Sequence, residues 1–190
     1  MNTTRTTLIG RIRDREDSAA WQQFFALYAP ILLGFARSRG LGHDAAEEVR
    51  DACLEIVSRR MPGFRYDRSR GGFKAWLYRI AHGKIVDHLR RKRELQADSV
   101  VLASLASAGP TPDEEWERSW RQEHLRYCLD RARGEVSERG YRAFDLLLVH
   151  GKTVPEVCQE LDCTPNQVYK AKMRVLARVR RHLERLDGTP

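Results

Sequence analysis

Two helix-starting signatures stand eleven residues apart near the C-terminus, and no other feature of the chain constrains its fold as tightly. Thr153-Val154-Pro155-Glu156 has the form of a capping box, in which a Thr hydroxyl and a carboxylate three residues on satisfy each other's orphan amides. Thr164-Pro165-Asn166-Gln167 repeats the device, with Pro at the favoured first helical position. Between them there is room for one short helix through Val157, Cys158 and Leu161, and then a tight turn. Asp162 falls at the bend, where it tolerates a left-handed backbone. This is helix-turn-helix spacing. The cysteines then have structural places. Cys158 is the small residue needed where the helices cross, and Cys163 is an apolar plug under the second helix. A zinc site would need two more ligands, and neither His150 nor Cys128 completes a pattern, so no metal and no cofactor is expected.

The helix that begins at Thr164 is expected to bury Val168, Val175, Leu176, Val179 and Leu183. It turns Asn166, Gln167, Lys170, Lys172, Arg174, Arg178 and Arg181 outward. Amide side chains in a first turn can pair with base edges in a major groove, and later Lys and Arg can contact phosphates. A plain basic surface helix is the alternative. The doubled cap favours DNA reading.

Helical periodicity governs the rest as well, and no alternating strand pattern occurs, so the expected fold is all-α. From Ser18, the residues Trp21, Phe24, Phe25, Tyr28, Ile31, Leu32 and Phe35 form one apolar stripe. Pro30 inside it should bend or break the helix, and Gly40-Leu41-Gly42 ends it. A second helix opens at Asp44, which with Glu47 resembles a capping box. It buries Val49, Ala52, Cys53, Ile56 and Val57. Its other face carries Asp44, Glu47, Glu48, Asp51 and Glu55, either a solvated face or a docking surface.

After an Arg- and aromatic-rich loop from Gly63 to Gly72, a third helix places Phe73, Trp76, Leu77, Ile80, Ala81, Ile85 and Leu89 at helical spacing. From Arg65 to Arg93 there are ten Lys or Arg against two Asp, a local excess equal to the whole chain's net charge of +8. The basic character is therefore local and points to a polyanionic partner. Ala/Ser-rich sequence around Gly109-Pro110-Thr111-Pro112 reads as a linker. It divides the chain into a domain at 1–93, a flexible linker at 94–117 and a second domain at 118–190, whose helical block starts near Trp116.

No uninterrupted apolar run of about eighteen residues occurs, so no membrane insertion is expected, and the N-terminus lacks a signal-peptide core. No Ser/His/Asp order, Gly-rich phosphate loop or H-E-x-x-H is present, which argues against an enzyme.

In this order the segments resemble the sigma-70 family, specifically its extracytoplasmic-function (ECF) sigma factors. The resemblance covers about Ser18 to Leu186. "WQQFFALYAPILLGFARSRG" resembles region 2.1 and "DAAEEVRDACLEIV" region 2.2. "FKAWLYRIAHGKIVDHLRRKR" is similar to regions 2.3 and 2.4, and "KTVPEVCQELDCTPNQVYKAKMRVLARVRRHL" to region 4.2. The resemblance implies two small helical domains, a region 2 bundle and a region 4 helix-turn-helix. It implies docking on core RNA polymerase through the face of Asp44, Glu47, Glu48, Asp51 and Glu55. It implies capture of a flipped −10 base by Phe64, Arg65, Tyr66 and Asp67, with Lys74, Arg79, Lys84, His88, Arg90 and Arg91 holding the strand's phosphates. Trp76 and Leu77 are expected in the core. The −35 element falls to Thr164, Asn166, Gln167, Lys170, Lys172, Arg174 and Arg178. Arg50 stands where the family usually has Gln, and Gly83 where many relatives have Asn. The implied partners are core RNA polymerase, promoter DNA and an anti-sigma factor or other regulator, and the implied location is cytoplasmic. The alternative is a helix-turn-helix regulator that never binds polymerase core.

Overall fold

The aromatic stripe that starts at Trp21 folds as one unbroken helix, and the first half of the chain is built on it. The computed structural model describes residues 8–65, 72–95 and 111–187, with backbone alone at 93–95 and 187. Its helices are α1 (Leu8–Arg11), α2 (Ser18–Ser38), α3 (His43–Arg60), α4 (Gly72–Leu95), α5 (Pro112–Arg133), α6 (Glu138–Leu148), α7 (Val154–Leu161) and α8 (Pro165–Asp187). A 3-10 turn, Met61–Gly63, follows α3, and no strand occurs among the described residues. The protein is all-α.

Contacts divide the chain into two units, Met1–Glu123 and His124–Pro190. In the first, Asp17 caps α2. Its carboxylate accepts from the Ala20 amide at 2.9 Å and from the Arg11 guanidinium at 2.9 Å. Those bonds, Arg11 first, hold the Asp17 carboxyl below its ordinary value. Of the bend or break expected at Pro30, the break does not occur, and α2 runs through it. The reason is tertiary. Phe24, Leu27 and Tyr28 before it and Ile31, Leu32 and Phe35 after it are all buried. Each such side chain contributes about 1.5–3 kcal/mol, which outweighs the roughly 3 kcal/mol that an internal Pro costs. By length and mean hydropathy α2 could cross a membrane, but its apolar face is the core of this unit.

The Asp44–Glu47 capping box is also absent. Gly42, in an extended conformation, is the N-cap of α3, so Asp44 falls within the first turn and Glu47 turns to Arg50 at 2.9 Å. Gly40, at φ +83°, ends the α2 connection, and buried Leu41 anchors the corner ahead of Gly42. Leu77 is fully buried as expected, and Trp76 half-buried.

The helix expected near Trp116 starts earlier, at Pro112. Glu114 accepts from the Thr111 amide at 2.7 Å and its hydroxyl at 3.1 Å, a third capping box lying within the stretch read as linker. The first half of α5 packs on α2 and α4. Trp116 lies 5.2 Å from Phe35 and 5.7 Å from Tyr78, and Trp120 lies 5.5 Å from Tyr28. Residues 96–110, the rest of the expected linker, lie outside the described residues.

In the second unit, Cys128 and Ala132 of α5 meet Phe144 of α6 and Val175 and Val179 of α8. A second cluster joins Ala143 and Leu146 to Val157 of α7 and Val168 and Ala171 of α8, with Cys158, Leu161 and Cys163 against it. Leu176, expected in the core, is 37% exposed, because the buried stripe of α8 runs instead through Val168, Ala171, Val175 and Val179. The box at α7 forms, with Glu156 accepting from the Thr153 amide at 2.7 Å. Asp162 adopts φ 46° and ψ 59°, the left-handed corner. Its replacement by Val should cost about 1–2 kcal/mol, since a β-branched residue resists that conformation, while Asp162→Gly should leave stability nearly unchanged. Urea unfolding distinguishes the two, and equal midpoints for both variants would remove the strain argument.

Candidate nucleic-acid interface

Rotation around α8 decides which side chains can act together. With Val168, Ala171, Val175 and Val179 inward, Asn166, Gln167, Lys170 and Arg174 share an exposed face. Thr164 is exposed at the helix start, and Gln167 folds back on it. The Gln167 Oε1 accepts from the Thr164 amide at 2.8 Å, and the Thr164 hydroxyl accepts from the Gln167 amide at 3.4 Å. Lys172 is half-buried on the opposite side and does not join the group. Arg178 is half-buried and lies 3.4 Å from Glu135, whose other oxygen meets His182 at 2.8 Å.

Three residues of this surface escaped the sequence reading. Arg139 on α6 donates to the carbonyls of Leu161 and Asp162, clamping the turn from outside. With Gln167, Lys170, Arg174 and Arg178 it lines an open groove of about 620 Å³. Nothing local marks Arg139, because its partner lies more than twenty residues away. Tyr169 and Met173, 54% and 66% exposed, put apolar surface beside Asn166 and Lys170. Their offset from the buried stripe was a signal present in the sequence.

On α4 the expected basic group divides. Arg79 and Arg90 are exposed on one outward face with Gly83 and Val86 between them. A Cβ at Gly83 would meet nothing within 4 Å, so this departure from the family's usual Asn leaves open space. Lys84 turns toward α3, where its charge opposes the burial that pushes the Cys53 thiol up to about 12. His88 approaches Glu48 at 4.0 Å. Arg91 donates to the Asp87 carbonyl at 3.4 Å, and Arg90 lies 3.7 Å from the Asp87 carboxylate. Lys74 is separated from them all. It pairs with Glu117 at 2.6 Å and sits 5.4 Å over the Trp120 ring. Phe64 is half-buried, 4.7 Å from Trp76, and Arg65 is exposed. Tyr66 and Asp67 lie outside the described residues.

On α3, Asp44, Glu48, Asp51 and Glu55 form an exposed line, with Glu47 half-buried at its side. Arg50 ties two of the five, Glu47 at 2.9 Å and Asp51 at 2.7 Å. The surface is therefore less negative than its carboxylate count suggests.

Residues 24–94, from within α2 to the end of α4, match the family model described as Sigma-70 region 2. Over 180 residues the chain is 27% identical to the ECF RNA polymerase sigma factor RpoE of Cereibacter sphaeroides, covering 93% of each chain. The chain thus carries a match to sigma-70 region 2 and is similar to an ECF sigma factor along nearly its whole length. The acidic line of α3 and the basic face of α4 both fall within the region 2 match, while the helix-turn-helix lies beyond it, within the longer similarity to an ECF sigma factor.

Arg50 of α3, which holds both Glu47 and Asp51, gives a direct test. Its hydrogen bond holds the Asp51 carboxyl below the ordinary value. Because the folded value is lowered, the pair adds stability above the ordinary carboxylate range and loses it as pH falls through the lowered value. In Arg50→Gln the Asp51 carboxyl carbon, followed by NMR, should titrate higher than in the wild type. An unchanged midpoint would dissolve the pair.

Proposed function

We propose that the chain is an ECF-type sigma factor that binds core RNA polymerase and directs promoter-specific initiation. The single observation that carries this reading is the order of surfaces along one chain. A region 2 match bearing separate acidic and basic faces is followed by a capped helix-turn-helix. A regulator that acts without polymerase needs only the last of these. The work is divided as follows. Region 2, over 1–93, docks on polymerase through Asp44, Glu47, Glu48, Asp51 and Glu55 and opens the −10 element. Phe64, Arg65, Tyr66 and Asp67 take an extruded base, by stacking and hydrogen bonding. Arg79, Lys84, Arg90 and Arg91, with Lys74 and His88 when released from their partners, hold the strand. Region 4, over 118–190, reads the −35 element from Asn166, Gln167 and Lys170, with Arg174 and Arg178 toward phosphates. The chain performs no chemistry itself. It acts in the cytoplasm, where polymerase and promoter are, and an anti-sigma factor or other regulator would restrain it.

Purified protein added to core polymerase and a candidate promoter should give promoter-specific transcripts and a holoenzyme on gel filtration. Absence of both would leave the helix-turn-helix regulator as the reading. Charge reversal at Asp44, Glu48 and Glu55, the carboxylates that Arg50 does not hold, should weaken holoenzyme formation without unfolding the protein. Unchanged affinity would return that face to solvent.

Asn166→Ala should cost about 1–3 kcal/mol at particular −35 bases rather than uniformly. Gln167→Glu is the more discriminating change. It preserves the capping box but replaces the amide donor with a charged acceptor, so base preference lost beyond a uniform drop in affinity, with unchanged helicity, assigns Gln167 a reading role. Unchanged preference makes it a cap alone.

A further inference from the structure

The end of α7 is closed by a Schellman-type turn whose apolar contact is made by two thiols. The amides of Asp162 and Cys163 both point to the carbonyl of Cys158, the second at 3.0 Å, and Asp162 between them is left-handed. In such a turn the residue that donates the longer bond packs against the residue that accepts it. Here those residues are Cys163 and Cys158. Both side chains pack against the same apolar cluster, both are unoxidised and half-buried, and the Cys163 Sγ is turned back to the Val157 carbonyl of α7 at 4.0 Å. The remaining cysteines, Cys53 and Cys128, are fully buried in other helices.

The two thiols are not equivalent. Burial pushes the Cys158 thiol above its ordinary value, with Cys163 adding to the effect. Cys163 instead borders the open groove lined by Arg139, Lys170 and Arg174. Cys163 is thus the thiol of the pair that a small oxidant entering the groove reaches first.

We propose that Cys158 and Cys163 are a peroxide-convertible dithiol that sets the turn ahead of α8. The Cys163 thiolate attacks a hydroperoxide, breaking the O–O bond. It gives a sulfenic acid and releases hydroxide, or an alkoxide from an organic hydroperoxide. The Cys158 sulfur then displaces the sulfenic oxygen, its proton leaving with that oxygen as water, and the Cys158–Cys163 disulfide forms. A cellular thiol reductant returns both thiols by exchange.

A disulfide holds its sulfurs about 2 Å apart, closer than two unbonded sulfurs can approach, so oxidation draws Cys163 toward α7. Thr164, the next residue, holds the start of α8 through its carbonyl, which accepts from the Gln167 and Val168 amides at 3.0 and 3.2 Å. Oxidation therefore shifts the reading helix. The consequence for DNA rests on the proposed −35 role of α8, whereas the chemistry does not.

Both cysteines lie in one tryptic peptide, Thr153 to Lys170. In full-length protein treated with hydrogen peroxide and then alkylated, that peptide should lose two hydrogens and regain them with dithiothreitol. In Cys158→Ser the chemistry should stop at a sulfenic acid on Cys163, trapped by dimedone, and Cys163→Ser should form no bond. Exchange at the Gln167 and Val168 amides should change on oxidation. Affinity for promoter duplex should fall by about tenfold, the effect of one mis-set base contact. A peptide that keeps its hydrogens overturns the proposal. So does a disulfide that leaves both amide exchange and DNA affinity unchanged. Failure of the −35 reading would look different, as reduced wild-type protein that does not discriminate promoter from other duplex. The mass and exchange measurements then still decide the dithiol.

Discussion

A Thr and a carboxylate or carboxamide three residues on close the starts of α5, α7 and α8, and the last two closures set the path of the chain through much of the second unit. A helix N-terminus leaves four amides without intrahelical partners, and a short helix such as α7 has few other bonds to hold its ends in place. Once Thr153 and Thr164 are fixed as starts, α7 has only eight residues, and the chain must turn at Asp162. The left-handed corner, the Arg139 clamp on its carbonyls and the Cys158–Cys163 contact all follow from that compression. The direction in which α8 presents Asn166 and Lys170 is thus decided several residues before either.

Charge in the first unit obeys a different logic, set by tertiary neighbours. The sequence excess on α4 reads as one basic surface. In the fold, Lys74 is drawn to Glu117 and the Trp120 ring, Lys84 and His88 lean toward α3, and Arg79 and Arg90 keep the outward face. Half-exposed pairs of this kind contribute about 0–1 kcal/mol each, so a polyanion can recruit Lys74 at small cost. The acidic line of α3 is likewise trimmed by Arg50, at a position where the family usually has an uncharged Gln. Surface charge and self-neutralisation meet at that one position.

What was legible in the sequence was local. The boxes at Thr153 and Thr164, the turn at Asp162 and the apolar stripes of α2, α3 and α4 depend on neighbours within a turn or two. Several of the departures required tertiary partners. Pro30 is tolerated because buried side chains on both sides outweigh one missing bond. Asp44 is not a cap because buried Leu41 puts Gly42 in that place. The Thr111–Glu114 box was within reach of the same rule, but the surrounding Ala, Ser, Gly and Pro disguised it as linker. For the candidate site, the outward face of α8 with Asn166, Gln167, Lys170 and Arg174 followed from periodicity. Arg139 could not, since a side chain that clamps a turn from another helix leaves no local pattern.

Gln167 shows how capping limits recognition. A carboxamide pairs with adenine only by using both ends, accepting from the exocyclic amine and donating to the ring nitrogen. Here the oxygen is turned back to the Thr164 amide at 2.8 Å, which leaves the Nε2 donor facing outward. While α8 stays capped, any base contact by Gln167 would be by donation alone, to guanine O6 or N7, adenine N7 or thymine O4, and two-point contact with adenine is closed to it. Asn166, one residue earlier and exposed, lies outside the Thr164–Gln167 box and carries no such restriction. The same short segment therefore divides its labour by geometry. One amide holds the helix and donates, and the other is available for both halves of a base edge.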